Sequence, residues 1–152
     1  MMDVRILPAS GTLKGGTHTL PLRVYCEDTD IGGIVYHANY LRFAERGRTE
    51  MLRAMGIELR RLQGDDGLIF VVRKGEMEYR NSAALDDFLI VETVVSGIRG
   101  ASVYLKQHIL RVSETEENEE LFNLNVQVAC TDQDGKAARI PDILRVELEQ
   151  LL

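Results

Sequence analysis

The hydrophobic positions change period twice along this chain, and those changes mark out its elements. From Met1 to His18 there is little periodicity, and Gly11, Gly15 and Gly16 interrupt the run, so residues 1–18 read as a flexible leader. Thr19 to Cys26 reads as a strand, with Pro21 near its start, where a missing N–H is tolerated best on a sheet edge. After Gly32-Gly33 a helical period takes over. Tyr40, Phe43, Ala44, Gly47, Met51, Ala54 and Met55 fall within an arc of roughly 120° on a helical wheel, widened by Leu41 and Leu52. Arg42, Glu45, Arg46, Thr49, Glu50 and Arg53 fill the opposite arc. This predicts a long helix with one broad apolar face, ended at Gly56. Gly47 lowers helix stability by about 1 kcal/mol relative to alanine, and on the apolar face it lets a packing partner approach the backbone.

Beyond Gly67 the period shortens to that of strands. Leu68–Val72, Glu76–Arg80, Phe88–Ile98, Ser102–Val112 and Leu121–Thr131 are rich in Val, Ile, Leu, Phe and Tyr. Short breaks between long strands favour antiparallel pairing. Val103, Leu105 and Ile109 alternate on one face, as do Phe122, Leu124, Val126 and Val128, and these faces are expected to meet the helix. Pro141 opens a short C-terminal helix. The pattern therefore predicts an α+β domain over residues 19–152, an antiparallel sheet carrying one principal helix on one face.

At 152 residues, 45% of them hydrophobic, the chain can close a core without a metal or a disulfide. Its two cysteines, Cys26 and Cys130, have no zinc-type spacing and are expected to be buried free thiols, which suits a reduced cytoplasm. The first eighteen residues hold no apolar stretch of signal-peptide length, and no later segment approaches the ~18 uninterrupted apolar residues of a membrane span, so secretion and membrane insertion are not expected. A formal net charge of -6 argues against nucleic acid as a partner. It leaves room for a polyanionic small ligand held by a few cations.

The densest group of chemically capable residues runs from Tyr25 to Tyr40, from a strand through an acidic turn and a double glycine into the helix start. Unpaired N–H groups at a helix N-terminus can hold a carbonyl oxygen that is becoming an oxyanion. Taken one at a time, Asp28, Thr29 and Asp30 are ordinary turn and capping residues, and a lone His37 is more often structural than basic. The acids do not recur at calcium-loop positions, and no other metal-ligand set stands out. No GxSxG, HExxH or phosphate-binding GK[ST] loop occurs.

The segment EDTDIGGIVYHANYLRFAERGRTEML, Glu27 to Leu52, strongly resembles the hotdog acyl-CoA thioesterases of the 4-hydroxybenzoyl-CoA thioesterase type. It is most similar to the bacterial subgroup encoded with the Tol-Pal envelope system. The likeness continues through Phe70–Thr93 and Arg99–Arg111. It implies a hotdog fold, with a curved sheet around the central helix, and hydrolysis of acyl-CoA to free acid and CoA. No cofactor is implied, coenzyme A being part of the substrate. The resemblance makes Asp30 the catalytic carboxylate, acting as nucleophile or as general base. The backbone N–H at His37 would face the thioester carbonyl, with its imidazole assisting. Tyr25, Asp28, Gly33 and Tyr36 would line or brace the pocket, and Arg99, near Ser102, would contact the nucleotide. The family also implies a homo-oligomer, a dimer or more often a tetramer, with active sites between protomers. Acyl-carrier protein is a second way to present the same pantetheine arm. The alternative is a non-catalytic hotdog module that binds acyl or pantetheine groups or scaffolds envelope and lipid-synthesis proteins.

Overall fold

A computed structural model describes residues 8–65 and 67–152. Six strands form one antiparallel sheet in the order β1-β2-β4-β5-β6-β3. They are β1 (Thr12–Lys14), β2 (Thr17–Arg23), β3 (Ile69–Tyr79), β4 (Phe88–Arg99), β5 (Ser102–Arg111) and β6 (Glu119–Thr131). The helices are α1 (Asn39–Ala54), α2 (Leu59–Asp65) and α3 (Asp142–Glu149). Among them, no helix is long and apolar enough to cross a membrane.

The helical face predicted for α1 is the one that packs. Tyr40, Phe43, Ala44, Gly47 and Met51 are buried, whereas Ala54, in the last turn, is exposed. The helix ends as expected at Gly56, whose N–H donates to the Arg53 carbonyl at 2.9 Å, while Ile57 N–H donates to the Leu52 carbonyl at 2.9 Å. This double closure satisfies two of the last carbonyls. Under the helix, the inward rows of the sheet place Val91, Val95, Leu105, Ile109, Phe122, Leu124 and Val126 in the core.

Gly47 is needed where it stands. A Cβ there would lie 2.7 Å from Val91 Cγ1, 3.1 Å from Thr93 Oγ1 and 3.2 Å from Gln107 Nε2. The last two belong to a buried polar row below the helix. Gln107 donates to the Ala44 carbonyl at 2.8 Å and to Thr93 Oγ1 at 2.9 Å, and accepts from Arg48 at 2.9 Å. Burial pulls the Arg48 guanidinium below its usual range, and these hydrogen bonds replace the water it gives up.

Three expectations change. Residues 1–7 of the expected leader lie outside the described residues, but residues 12–14 are strand β1 and β2 begins at Thr17, joined by the two-residue Gly15-Gly16 connection. His18, inside that expected leader, is fully buried, with Nε2 2.7 Å from the Ser10 carbonyl. The two runs Leu68–Val72 and Glu76–Arg80 are one strand, β3, whose alternation is broken by a register shift between Val72 and Lys74. Of the cysteines, both free, Cys130 is buried as expected, but Cys26 is exposed in a 3-10 turn spanning Cys26–Asp28.

Candidate active site

Strand β2 ends at Arg23, and the chain then enters a turn held by Asp28. This carboxylate is 5% exposed, and both of its oxygens are used. Oδ2 accepts from the Tyr25 N–H at 2.8 Å, and Oδ1 accepts from the Asn39 side-chain amide at 2.7 Å. Because Asn39 is the first residue of α1, Asp28 ties the turn to the helix start. Of its two expected roles, lining or bracing, the geometry supports bracing.

A tight hairpin follows. Thr29 bridges Val35, Asp30 N–H donates to the Ile34 carbonyl at 2.9 Å, and Gly33 N–H donates to the Asp30 carbonyl at 3.0 Å. Gly33 has φ +78°, a left-handed conformation that closes the turn and that side chains disfavour. Asp30 is exposed at the hairpin's edge, with Oδ1 accepting from the Gly32 N–H at 2.8 Å. One carboxylate oxygen thus shapes the turn. Tyr25, Tyr36 and Ile34 around it are also exposed.

The return arm leads into α1. Val35 N–H donates to the Ala83 carbonyl and Tyr36 N–H to the Asp28 carbonyl, both at 2.9 Å. The Tyr36 carbonyl accepts from Asn39 N–H at 2.8 Å, and the His37 carbonyl accepts from the Tyr79 hydroxyl at 2.8 Å. The helix has Ala38 at its N-cap, no capping side chain and no acid in its first turn. Among the described residues, the N–H groups of His37 and Ala38 have no acceptor. Most helices cap this end with a side-chain oxygen, and its omission leaves a positive dipole end with open donors. Beside it lies a cavity of about 270 Å³ lined by His37, Tyr40, Tyr79, Val35 and Asn81, among others.

Two tyrosines that sequence reasoning did not assign to the site shape this corner. Tyr40 is 2% exposed, stacks on Phe122 at 5.3 Å between ring centroids, and accepts from the Ala83 N–H at 3.0 Å. Tyr79 meets Tyr40 edge-on at 5.7 Å and Phe122 at 5.0 Å. Burial raises both phenols above their usual pKa, so each keeps its proton at neutral pH. The sequence offers one hint to Tyr79, its inward position at the end of a strand.

Arg99 and Ser102 are not brought to this corner. They face each other across the β4–β5 turn, at the far end of the sheet from Phe88, which pairs with Arg23 just before the Asp30 loop. The 11 residue steps from Phe88 to Arg99 cover roughly 36 Å at strand rise. Asp30 and Arg99 of one chain therefore do not form one site. Arg99 lines an outer-face depression of about 500 Å³ with Tyr104 and Lys106. Ser102 is buried, its hydroxyl accepting from Gln127 Nε2 at 3.0 Å, so it is not open to a ligand here.

Comparison with known proteins gives this corner a context. The family model for the thioesterase-like superfamily matches residues 24–148. The acyl-CoA thioesterase YbgC of Haemophilus influenzae is 44% identical over 114 residues, covering 75% of this chain and 80% of that protein. The acyl-CoA thioester hydrolase YbgC of Escherichia coli O157:H7 is 41% identical over 131 residues, 86% of this chain and 94% of that protein. Among solved structures, a probable thioesterase from Bartonella henselae superposes with a TM-score of 0.76 at 38% identity, covering 82% of this chain and 99% of that one. The 4-hydroxybenzoyl-CoA thioesterase of Pseudomonas sp. strain CBS-3, at 19% identity, shares the fold with a TM-score of 0.78, over 90% of this chain and 99% of that one. The open helix start thus sits in a hotdog fold, and with a family match running from Val24 into α3, the chain belongs to the thioesterase-like superfamily.

Proposed function

We propose that this protein is an acyl-CoA thioesterase that hydrolyses the thioester with Asp30 and polarises its carbonyl at the start of α1. The observation that carries the reading is the uncapped helix N-terminus, where the N–H groups of His37 and Ala38 have no acceptor among the described residues, preceded by the hairpin that carries the exposed carboxylate of Asp30. Two relatives that cover most of this chain carry the same activity in their names.

The chemistry follows one of two routes. Asp30 attacks the carbonyl carbon, the developing oxyanion is held by backbone N–H groups, and CoA leaves as a thiolate that takes up a proton. The resulting mixed anhydride is opened by water. Alternatively, Asp30 accepts a proton from water as that water attacks. Both routes draw on the Asp30 carboxylate, backbone N–H groups and water, with coenzyme A entering and leaving as part of the substrate. Pantetheine on acyl-carrier protein fits the same chemistry.

The reading extends to assembly. The edge strand β3 leaves Val71, Val72, Met77 and Tyr79 at 41–58% exposure, an apolar edge that favours pairing with another chain. A homo-oligomer would also resolve the separation of Asp30 from Arg99, since Arg99 of a second protomer could meet the nucleotide of a substrate held at Asp30. The free cysteines suit a cytoplasmic location. The Glu27–Leu52 segment supports placement in the subgroup encoded with the Tol-Pal system.

Thiol release from acyl-CoAs of graded chain length tests the function. Asp30→Asn is expected to lower kcat by about a hundredfold or more with KM largely kept, and His37→Ala to cost less because its N–H remains. Absence of turnover with every acyl-CoA would favour the binding module instead. Near-normal turnover by a folded Asp30→Asn would remove Asp30 from catalysis. Heavy-oxygen label found in Asp30 after single-turnover hydrolysis would select the anhydride route.

A further inference from the structure

The Tyr79 hydroxyl donates a 2.8 Å hydrogen bond to the His37 carbonyl, one residue before the N-cap of α1. From this contact we infer that Tyr79 is a positioning residue for thioester hydrolysis, aiming the backbone donors at the helix start; this rests on the function proposed above.

The argument begins with the peptide plane. A trans peptide fixes its N–H opposite its C=O, so holding the His37 carbonyl sets the direction of the Ala38 N–H. Neither that N–H nor the N–H of His37 has an acceptor among the described residues. The neighbouring carbonyl, that of Tyr36, is already held by Asn39 N–H at 2.8 Å. With both carbonyls engaged, the two intervening donors have little freedom to turn. An oxyanion site gains from this because donors that are already aimed need no reorganisation during reaction.

The other end of Tyr79 is equally fixed. It is the last residue of β3, its Cα partner on β6 is Phe122, and its ring contacts Phe122 and Tyr40, both buried. Strand register thus sets the ring, and the ring sets the hydroxyl. Hydrogen bonding to the His37 carbonyl serves no capping purpose, because a helix lacks acceptors for its first N–H groups, not donors for a carbonyl that precedes it. The interaction organises the segment that feeds the helix.

Tyr79→Phe removes the hydroxyl and keeps the ring. Relative to wild type on the same acyl-CoA, kcat is expected to fall about tenfold, the scale of one lost hydrogen bond felt in the transition state. KM should stay within about twofold, since substrate binding elsewhere is untouched. Ile140→Val, a conservative change in the buried core away from this corner, serves as the control, lowering Tm while leaving kcat unchanged. A Tyr79→Phe protein with wild-type kcat, or one whose loss falls on KM alone, overturns the inference. So does a control that loses kcat in the same proportion to Tm. A wild type without thioesterase activity overturns the proposed function first and this inference with it. A crystal structure of the wild type gives a check that needs no variant: a Tyr79 hydroxyl turned away from the His37 carbonyl ends the argument.

Discussion

Replacing Gly47 by alanine sets two effects of known sign against each other. In an isolated helix the change stabilises by about 1 kcal/mol. Here the new methyl would sit 2.7 Å from Val91 Cγ1, about 1 Å inside the usual separation of two carbons. Val91 is fully buried in β4 and is β-branched, so it has few alternative rotamers. The two other neighbours are no freer, because Thr93 Oγ1 and Gln107 Nε2 are bonded to each other and Gln107 also holds Ala44 and Arg48. Overpacking of this kind costs about 1–3 kcal/mol, and weakening one buried hydrogen bond adds about 1 kcal/mol. After the propensity gain is subtracted, a net loss of about 2 kcal/mol remains, equivalent to a fall in Tm of about 4–8 °C for a chain of this size. Urea denaturation and calorimetry at fixed protein concentration measure it. An unchanged or raised Tm would refute the close-packing argument and return Gly47 to an ordinary helix position.

Asp28→Asn replaces a carboxylate that accepts from two groups by an amide with one acceptor oxygen, and is expected to destabilise by about 1–3 kcal/mol; an unchanged Tm would show that the turn does not depend on it. Arg99→Ala should raise KM for acyl-CoA far more than for a short acyl-pantetheine lacking the nucleotide phosphates, and equal effects on both substrates would remove Arg99 from the site. Light scattering under assay conditions is expected to show at least a dimer, because Asp30 and Arg99 of one chain face opposite ends of the sheet; an active monomer contradicts this.

The long helix was legible because a 3.6-residue period held from Tyr40 to Met55 and because one glycine on its apolar face marked a close approach. The later strands were legible because their alternation survives between recognisable breaks. The acidic turn before the helix could be singled out too, since no other segment gathers acids, a double glycine and a histidine at an element boundary. Less was visible at the edges. Strand β1 has only three residues, too few to show a period, and the bulge in β3 interrupts the alternation that would have joined its halves. Helix α2, with seven residues, carries little more signal.

What the tertiary structure decided concerns partners distant in sequence. That Asp28 holds Asn39, that Tyr79 holds His37, and that Gln107 lies under Ala44 all depend on strand order and register, which local patterns do not specify. The same holds for Arg99. Its sequence neighbourhood suggested a ligand contact, but only pairing of β4 with β2 placed it at the opposite end of the sheet from Asp30. Sequence fixes which faces of a segment are apolar, through the period of its side chains. Which residues then meet is set by the one arrangement that buries all those faces at once and satisfies the backbone donors and acceptors they enclose.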